Sequence, residues 1–264
     1  MQNGTILGVI PARLGSERLP GKPLVRIAGR PLIEWVWRRV SAFEILDACV
    51  VATDAAEVVV ACGEFGGIAV MTSRSHRSGT ERVAEVAASQ AYSSFGVIVN
   101  VQGDEPLIEE SHVAAAVEQV RRGFDIGTAA TPVRDRSAWL DPAVVKVTRR
   151  PTGAALYFSR SPIPFRRDGE PDEGALGTAD YLRHIGVYAY TRDALLRWIA
   201  LPESALERIE RLEQLRPLAA GFSIGVGLVE RAAGGVDTPA DAERMTALLS
   251  ISDNERSRTL QART

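Results

Sequence analysis

Cysteine is scarce: Cys49 and Cys62 are the two in 264 residues. That excludes a disulfide framework, and their spacing matches no metal-binding pattern, so buried thiols in a reducing compartment are their simplest reading. No apolar run approaches the roughly 18 to 20 residues that span a bilayer, and no basic segment followed by a long apolar stretch opens the chain. A cytoplasmic protein without a membrane span is therefore expected. An excess of either charge is lacking too. With 31 Lys and Arg against 33 Asp and Glu, the formal net charge of -2 excludes a global electrostatic footprint for nucleic acid or an anionic membrane. Any affinity for phosphate has to be local. Repeats and low-complexity segments are absent, and no G-x-G-x-x-G follows the first apolar run, which removes a dinucleotide-dependent dehydrogenase from consideration.

What is present is a chain of ordinary composition, 45% hydrophobic and 24% charged, long enough for one large α/β domain, with or without an inserted lobe. Apolar runs at 6–10, 48–53, 67–71 and 97–101 have the length and branching of buried strands. They alternate with helical patterns at 31–43, from Asp54 onward, at 80–92 with Thr80 as N-cap, and at 111–122. This alternation predicts a mainly parallel sheet covered on both faces. Right-handed crossovers then gather the strands' carboxyl ends along one edge, so the loops at 11–23, 72–79 and 102–106 are expected to line one cleft. The second half is less regular. Strands are read at 126–133, 144–148, 155–159, 184–190 and 222–229, and helices at 192–201, 204–215 and about 240–249. The stretch 162–180, dense in Pro, Gly and charge, reads as a long excursion, and the polar tail from Ser250 as frayed.

The loop Pro11-Ala-Arg-Leu-Gly-Ser-Glu-Arg-Leu-Pro-Gly-Lys-Pro-Leu24 follows the first strand. Arg13, Arg18 and Lys22, held near exposed backbone N-H groups, favour phosphate; the bland reading is a solvated loop. Asp104 follows a buried strand within Gln-Gly-Asp-Glu-Pro, and Asp237 stands in Gly-Gly-Val-Asp-Thr-Pro. Two hard oxygen donors beside a phosphate loop suit Mg2+, although Asp before Thr-Pro is also an ordinary helix-entry residue. His112 reads as structural in a surface helix, whereas His76 and His184 stand at loop and strand entrances, as ligand contacts or packed residues alike. Glu210, among interleaved charges on the 204–215 helix, reads as part of a solvated face.

Seven stretches in order, Ile10 to Leu24, Ser78-Gly-Thr-Glu-Arg82, Asn100-Val-Gln-Gly-Asp-Glu-Pro106, Leu156-Tyr-Phe-Ser-Arg160, Leu182-Arg-His-Ile-Gly-Val-Tyr188, Leu212-Glu-Gln-Leu-Arg216 and Gly235-Val-Asp-Thr-Pro239, resemble the 3-deoxy-manno-octulosonate (Kdo) cytidylyltransferases. The resemblance runs to about residue 249. It implies a Rossmann-like nucleotidyltransferase fold in one domain, 1–249, with a mainly parallel mixed sheet, helices on both faces and a homodimerisation lobe within about 150–190; 250–264 is the tail. It implies transfer of CMP from CTP to Kdo for lipopolysaccharide synthesis, with Mg2+ as cofactor. By the same resemblance Arg13, Arg18 and Lys22 hold the triphosphate and Ser78 lies near the cytidine. Asp104 and Asp237 bind the metal, Gln102 seats substrate beside it, and Arg160, His184 and Glu210 line the sugar site. Ser75 departs from the family, where an acidic residue commonly precedes the histidine. Another acidic 2-keto sugar, such as 8-amino-Kdo, and a non-catalytic nucleotide-binding module are the alternative readings.

Overall fold

The computed structural model describes residues 4–16 and 18–261. β1 (Ile6–Ala12) leads through the cationic loop and a single 3-10 turn at Lys22–Leu24 into a small hairpin, β2 (Arg26–Ile27) and β3 (Arg30–Pro31). There follow α1 (Leu32–Val40), β4 (Ala48–Thr53), α2 (Ala56–Glu64), β5 (Ala69–Met71), α3 (Gly79–Ala88), β6 (Val97–Asn100) and α4 (Glu110–Arg121). The second half contributes β7 (Ile126–Pro132), α5 (Arg136–Leu140), β8 (Lys146–Arg149), β9 (Ala155–Ser159), β10 (Leu182–Thr191) and α6 (Arg192–Ile199). It closes with α7 (Ala205–Glu210), α8 (Leu215–Ala219), β11 (Ile224–Leu228) and α9 (Pro239–Gln261).

The main sheet runs β11-β7-β10-β6-β1-β4-β5, with β8 paired to β10 and β9. β6, β1, β4 and β5 are parallel, β10 is antiparallel to both β6 and β7, and β11 is parallel to β7. Alternation along β1 divides the core: Leu7 and Val9 face the layer that holds Val83, Val86 and Trp198, while Ile6 and Ile10 face that of Ile33, Val36, Val58 and Val113. Both faces of the parallel strands are thus covered, which is why they read as continuous apolar runs rather than as alternating ones. α1 shows the helical counterpart. Leu32, Ile33, Trp35, Val36 and Val40 are buried, each worth about 2 kcal/mol, while Glu34 and Arg38 pair on the outer face at 2.8 Å.

Four expectations need correction. The single helix at 204–215 is two: α7 ends where Arg211 takes a left-handed φ of 52°, and α8 starts afresh at Leu215. Ser78, not Thr80, caps α3, accepting from the Glu81 amide at 3.2 Å. His112 is not on a surface face. It is 1% exposed, with Nδ1 accepting from the Glu109 amide at 3.3 Å and Nε2 bonded to the Arg231 carbonyl at 2.9 Å. The last helix also runs on to Gln261 instead of stopping near 249, and the short α5 lies in a stretch where no element was anticipated.

Candidate active site

β1, β4, β5 and β6 point their carboxyl ends to one edge, and the loops at 11–23, 72–79 and 102–106 meet there around a cleft of about 830 Å3. Gly21, at φ 66°, takes a left-handed turn that a residue with a β-carbon adopts only at a cost of roughly 1 to 2 kcal/mol. That turn brings Lys22 back over the strand ends. Its Nζ donates to Asp104 Oδ2 and, at 2.9 Å, to Asp237 Oδ1, while Arg18 Nη2 donates to the same Asp237 oxygen at 2.8 Å. Burial works against the Lys22 charge, but Asp104 and Asp237 outweigh it and hold the ammonium pKa above normal.

The two acidic turns are joined through the main chain as well, since the Val236 amide donates to the Asp104 carbonyl at 2.8 Å. Gly103 is what lets the Asp104 turn lie so close to β1: a β-carbon there would stand 2.7 Å from the Pro11 carbonyl oxygen. Entry into α9 is capped without help from the Asp237 side chain. Asp241 Oδ2 accepts from the amides of Asp237 and Thr238, and Thr238 Oγ1 accepts from the Asp241 amide at 3.2 Å. The Asp237 carboxylate is therefore left to face Lys22 and Arg18.

Arg160 stands on the opposite wall, just past β9. Its Nε donates to the Glu210 carbonyl at 2.8 Å, Nη1 to Pro142 O at 2.9 Å and Nη2 to Arg211 O at 3.3 Å. A guanidinium has five N-H donors, so one remains on each Nη, available to a carboxylate. Glu210 does not line the cleft. Its carboxylate accepts from Ser159 Oγ at 2.7 Å and from the Arg160 amide at 2.9 Å, so it holds Arg160 from behind.

His184 is not among the lining residues either. Thr128 Oγ1 donates to main-chain oxygen, Val187 O at 2.7 Å or Ile185 O at 3.2 Å, and lies 2.8 Å from His184 Nε2. The ring also packs edge-on against Phe158. Burial pushes its pKa down to about 3. Gln102 lines the cleft and donates through Nε2 to Gly186 O at 3.2 Å. His76 turns away to Glu85, which also accepts from the Ser73 amide at 2.9 Å, so the pair fastens the 72–79 loop to α3. Ser75 Oγ lies 2.7 Å from Ser73 Oγ within that loop.

Arg13, Arg18, Lys22, Ser78, Gln102, Asp104, Arg160 and Asp237 thus share one cleft. Reading the residues in order missed Arg82 and Glu213. Arg82 lines the cleft at 2% exposure, bonded to Thr72 Oγ1 and, at 2.9 Å, to Asp54. Glu213 lines it as well; burial raises its carboxyl pKa against the opposing pull of the Thr80 and Ser78 hydroxyls. Glu213 stands inside the Leu-Glu-Gln-Leu-Arg stretch quoted above, but its direction depends on the break at Arg211, which no local signal announced. Next to Asp104 in the chain stands Glu105. Burial first, and then the Asp104 charge, push its carboxyl up to about 8.

A mixed, mostly parallel sheet with a cationic loop and two converging carboxylates at the carboxyl edge of its parallel strands is the architecture of a nucleotidyltransferase, and the cytidylyltransferase family model matches residues 7–225. The 3-deoxy-manno-octulosonate cytidylyltransferase of Gemmatimonas aurantiaca is 51% identical over 240 residues, 90% of this chain and 92% of the relative. That of Syntrophotalea carbinolica is 45% identical over 249 residues, 93% of this chain and 98% of the relative. The solved structure of a CMP:2-keto-3-deoxy-manno-octonic acid synthetase complexed with CTP has a TM-score of 0.85 at 40% identity, covering 94% of this chain and 100% of its own. The chain belongs to the 3-deoxy-manno-octulosonate cytidylyltransferase family. A 4-diphosphocytidyl-2C-methyl-D-erythritol synthase, at 16% identity and a TM-score of 0.60, shares the fold alone.

Proposed function

We propose that this chain transfers CMP from CTP to the anomeric hydroxyl of Kdo, giving CMP-Kdo and pyrophosphate and so activating Kdo for lipopolysaccharide synthesis. The observation that carries the reading is the meeting of Asp104, Asp237 and Lys22 at one point of a cleft whose far wall is Arg160. Arg13, Arg18 and Lys22 take the triphosphate, the arginines as bidentate donors and the lysine as a point charge. The two unused N-H groups of Arg160 take the Kdo carboxylate, which turns the 2-hydroxyl toward the α-phosphorus; Gln102 and Glu213 border that approach. The hydroxyl oxygen gives up its proton to water and bonds to the α-phosphorus as the bond to pyrophosphate breaks, and Lys22 offsets the charge that grows on the leaving group.

Mg2+ takes one or two carboxylates and fills its other positions with water and phosphate. Asp104 and Asp237 fit that donor set, because their oxygens already converge on a single cation, the Lys22 ammonium. Bound there, Mg2+ would lower the hydroxyl pKa and stabilise charge on phosphate. We also assign the protein to the cytoplasm, where CTP is made, and to a homodimer. Half-exposed Leu156 and strongly exposed Phe165, both within 150–190, support a covered face in that lobe. Light scattering showing a monomer at micromolar concentration would contradict the dimer.

The test is pyrophosphate release with CTP and Mg2+ across Kdo, 8-amino-Kdo and sialic acid. Release with Kdo is expected. Release with none of the sugars would sink the catalytic reading, and preference for either of the others would move the acceptor.

A further inference from the structure

Lys146, the first residue of β8, is 0% exposed, and its Nζ donates to three main-chain carbonyls: Asp141 at 2.9 Å, Val144 at 2.6 Å and Arg160 at 2.5 Å. An ammonium has three N-H donors, and here each has its acceptor. Among the described residues no carboxylate forms an ion pair with it, so a charge that is expensive to bury has been placed where it ties main chain to main chain. The three acceptors come from two segments, the 141–145 turn and the residue just past β9. Both border the cleft, through Ala143 and Val145 on one side and Arg160 on the other. Arg160 returns the contact, donating through Nη1 to Pro142 O at 2.9 Å.

Lys146 and Arg160 therefore clasp the same turn, one from inside the fold and one from the cleft. Glu210 fixes the Arg160 amide and Nε, but neither bond reaches the turn. We propose that Lys146 is a positioning residue for the acidic sugar: by holding the 141–145 turn and the Arg160 carbonyl together, it aims the two free guanidinium N-H groups at the sugar carboxylate. This rests on the assignment of Arg160 given above. It sets Lys146 apart from an ordinary tie of the β8 and β9 hairpin, whose loss would lower stability without separating the two substrates.

Lys146→Met, Lys146→Gln and Arg160→Ala are compared with wild type by pyrophosphate release, varying Kdo at saturating CTP and CTP at saturating Kdo, with CTP binding followed by calorimetry. For Lys146→Met, KM for Kdo is expected to rise about 10- to 100-fold, since a displacement of about 1 Å in a positioned group has that effect. KM and affinity for CTP should stay within about twofold, because binding of the other substrate is untouched. Lys146→Gln keeps two N-H donors and should recover part of the loss, and it carries the test alone if Lys146→Met does not fold. Combined with Arg160→Ala, Lys146→Met should raise KM for Kdo no further. Equal losses for both substrates, a lowered Tm with both KM values kept, or full additivity with Arg160→Ala would overturn the proposal. If Arg160→Ala leaves KM for Kdo unchanged, the assignment of Arg160 fails first; if only the Lys146 variants leave it unchanged, the inference fails and that assignment stands.

Discussion

Asp104 and Asp237, far apart in the chain, accept hydrogen bonds from one donor, Lys22 Nζ. Two carboxylates this near one another repel unless a cation stands between them, so the pocket is arranged for positive charge before any ligand enters. Asp237 is 43% exposed, and its ion pairs with Lys22 and Arg18 are worth little to folding. Asp237→Asn should therefore unfold in urea within about 1 kcal/mol of wild type. Its turnover should fall about a hundredfold or more, and Asp104→Asn should behave alike. Wild-type turnover in either purified variant would remove that residue from the site.

Chelation gives an independent reading of the same pair. Pyrophosphate release should stop in excess EDTA and return on adding Mg2+. Mn2+ bound in the presence of CTP, followed by electron paramagnetic resonance, should be held more weakly by Asp104→Asn than by wild type. Undiminished Mn2+ binding in that variant would place the metal elsewhere.

Lys22→Ala removes the cation at the centre of the constellation while leaving both carboxylates. Lys22 is 14% exposed on the side chain, so little water stands ready to replace its charge in the proposed triphosphate site. A loss of about 3 kcal/mol in transition-state stabilisation is expected, about a hundredfold in kcat/KM. Far-ultraviolet circular dichroism should match wild type. A variant with full activity and folded spectra would show that the triphosphate is neutralised by other groups.

The half of the fold built from β1, β4, β5 and β6 was legible because buried parallel strands print themselves as short branched runs, and β4 occupies 48–53 as read. Their crossover rule then placed three loops in one cleft without further information. What stayed hidden depended on contacts between distant segments. Glu210 and Glu213 lie three residues apart on what reads as one helix, yet the left-handed residue Arg211 sends one behind Arg160 and the other into the cleft. Asp237 looked like a capping residue until Thr238 and Asp241 were seen to do that work. His112 reads as structural in a surface helix, and the Arg231 carbonyl that satisfies its buried ring arrives from far along the chain.

The same break at Arg211 explains why α7 and α8 need their own anchor. Glu207 and Arg216 are 7% and 8% exposed and form two bonds, Nε to Oε2 at 2.8 Å and Nη2 to Oε1 at 2.6 Å. Replacing Arg216 by Leu would strand a buried carboxylate, and such losses run to about 3 to 5 kcal/mol. Urea denaturation should show a destabilisation of that order, with sugar-dependent activity falling as Glu213 loses its place. A shift below about 1 kcal/mol, the range of an exposed pair, would mean that the pair is solvated.

His184 supplies the acid-side test. In the folded protein burial pushes its ring pKa to about 3, whereas an unfolded histidine titrates near 6.5. Between those values the unfolded chain binds a proton that the folded chain refuses, so stability falls as pH drops through 6.5 toward 3 and is unaffected by this group above about 7. The slope from this one residue is at most about 1.4 kcal/mol for each pH unit. His184→Gln keeps a hydrogen-bonding group for Thr128 but does not titrate, so it should lose less stability than wild type between pH 7.5 and pH 5 in urea denaturation. Equal losses would mean that the folded ring takes up its proton normally. Because the ring stays neutral throughout that range, its carbon-bound proton resonances should not move, and any limb of the activity profile near pH 6.5 must belong to another group.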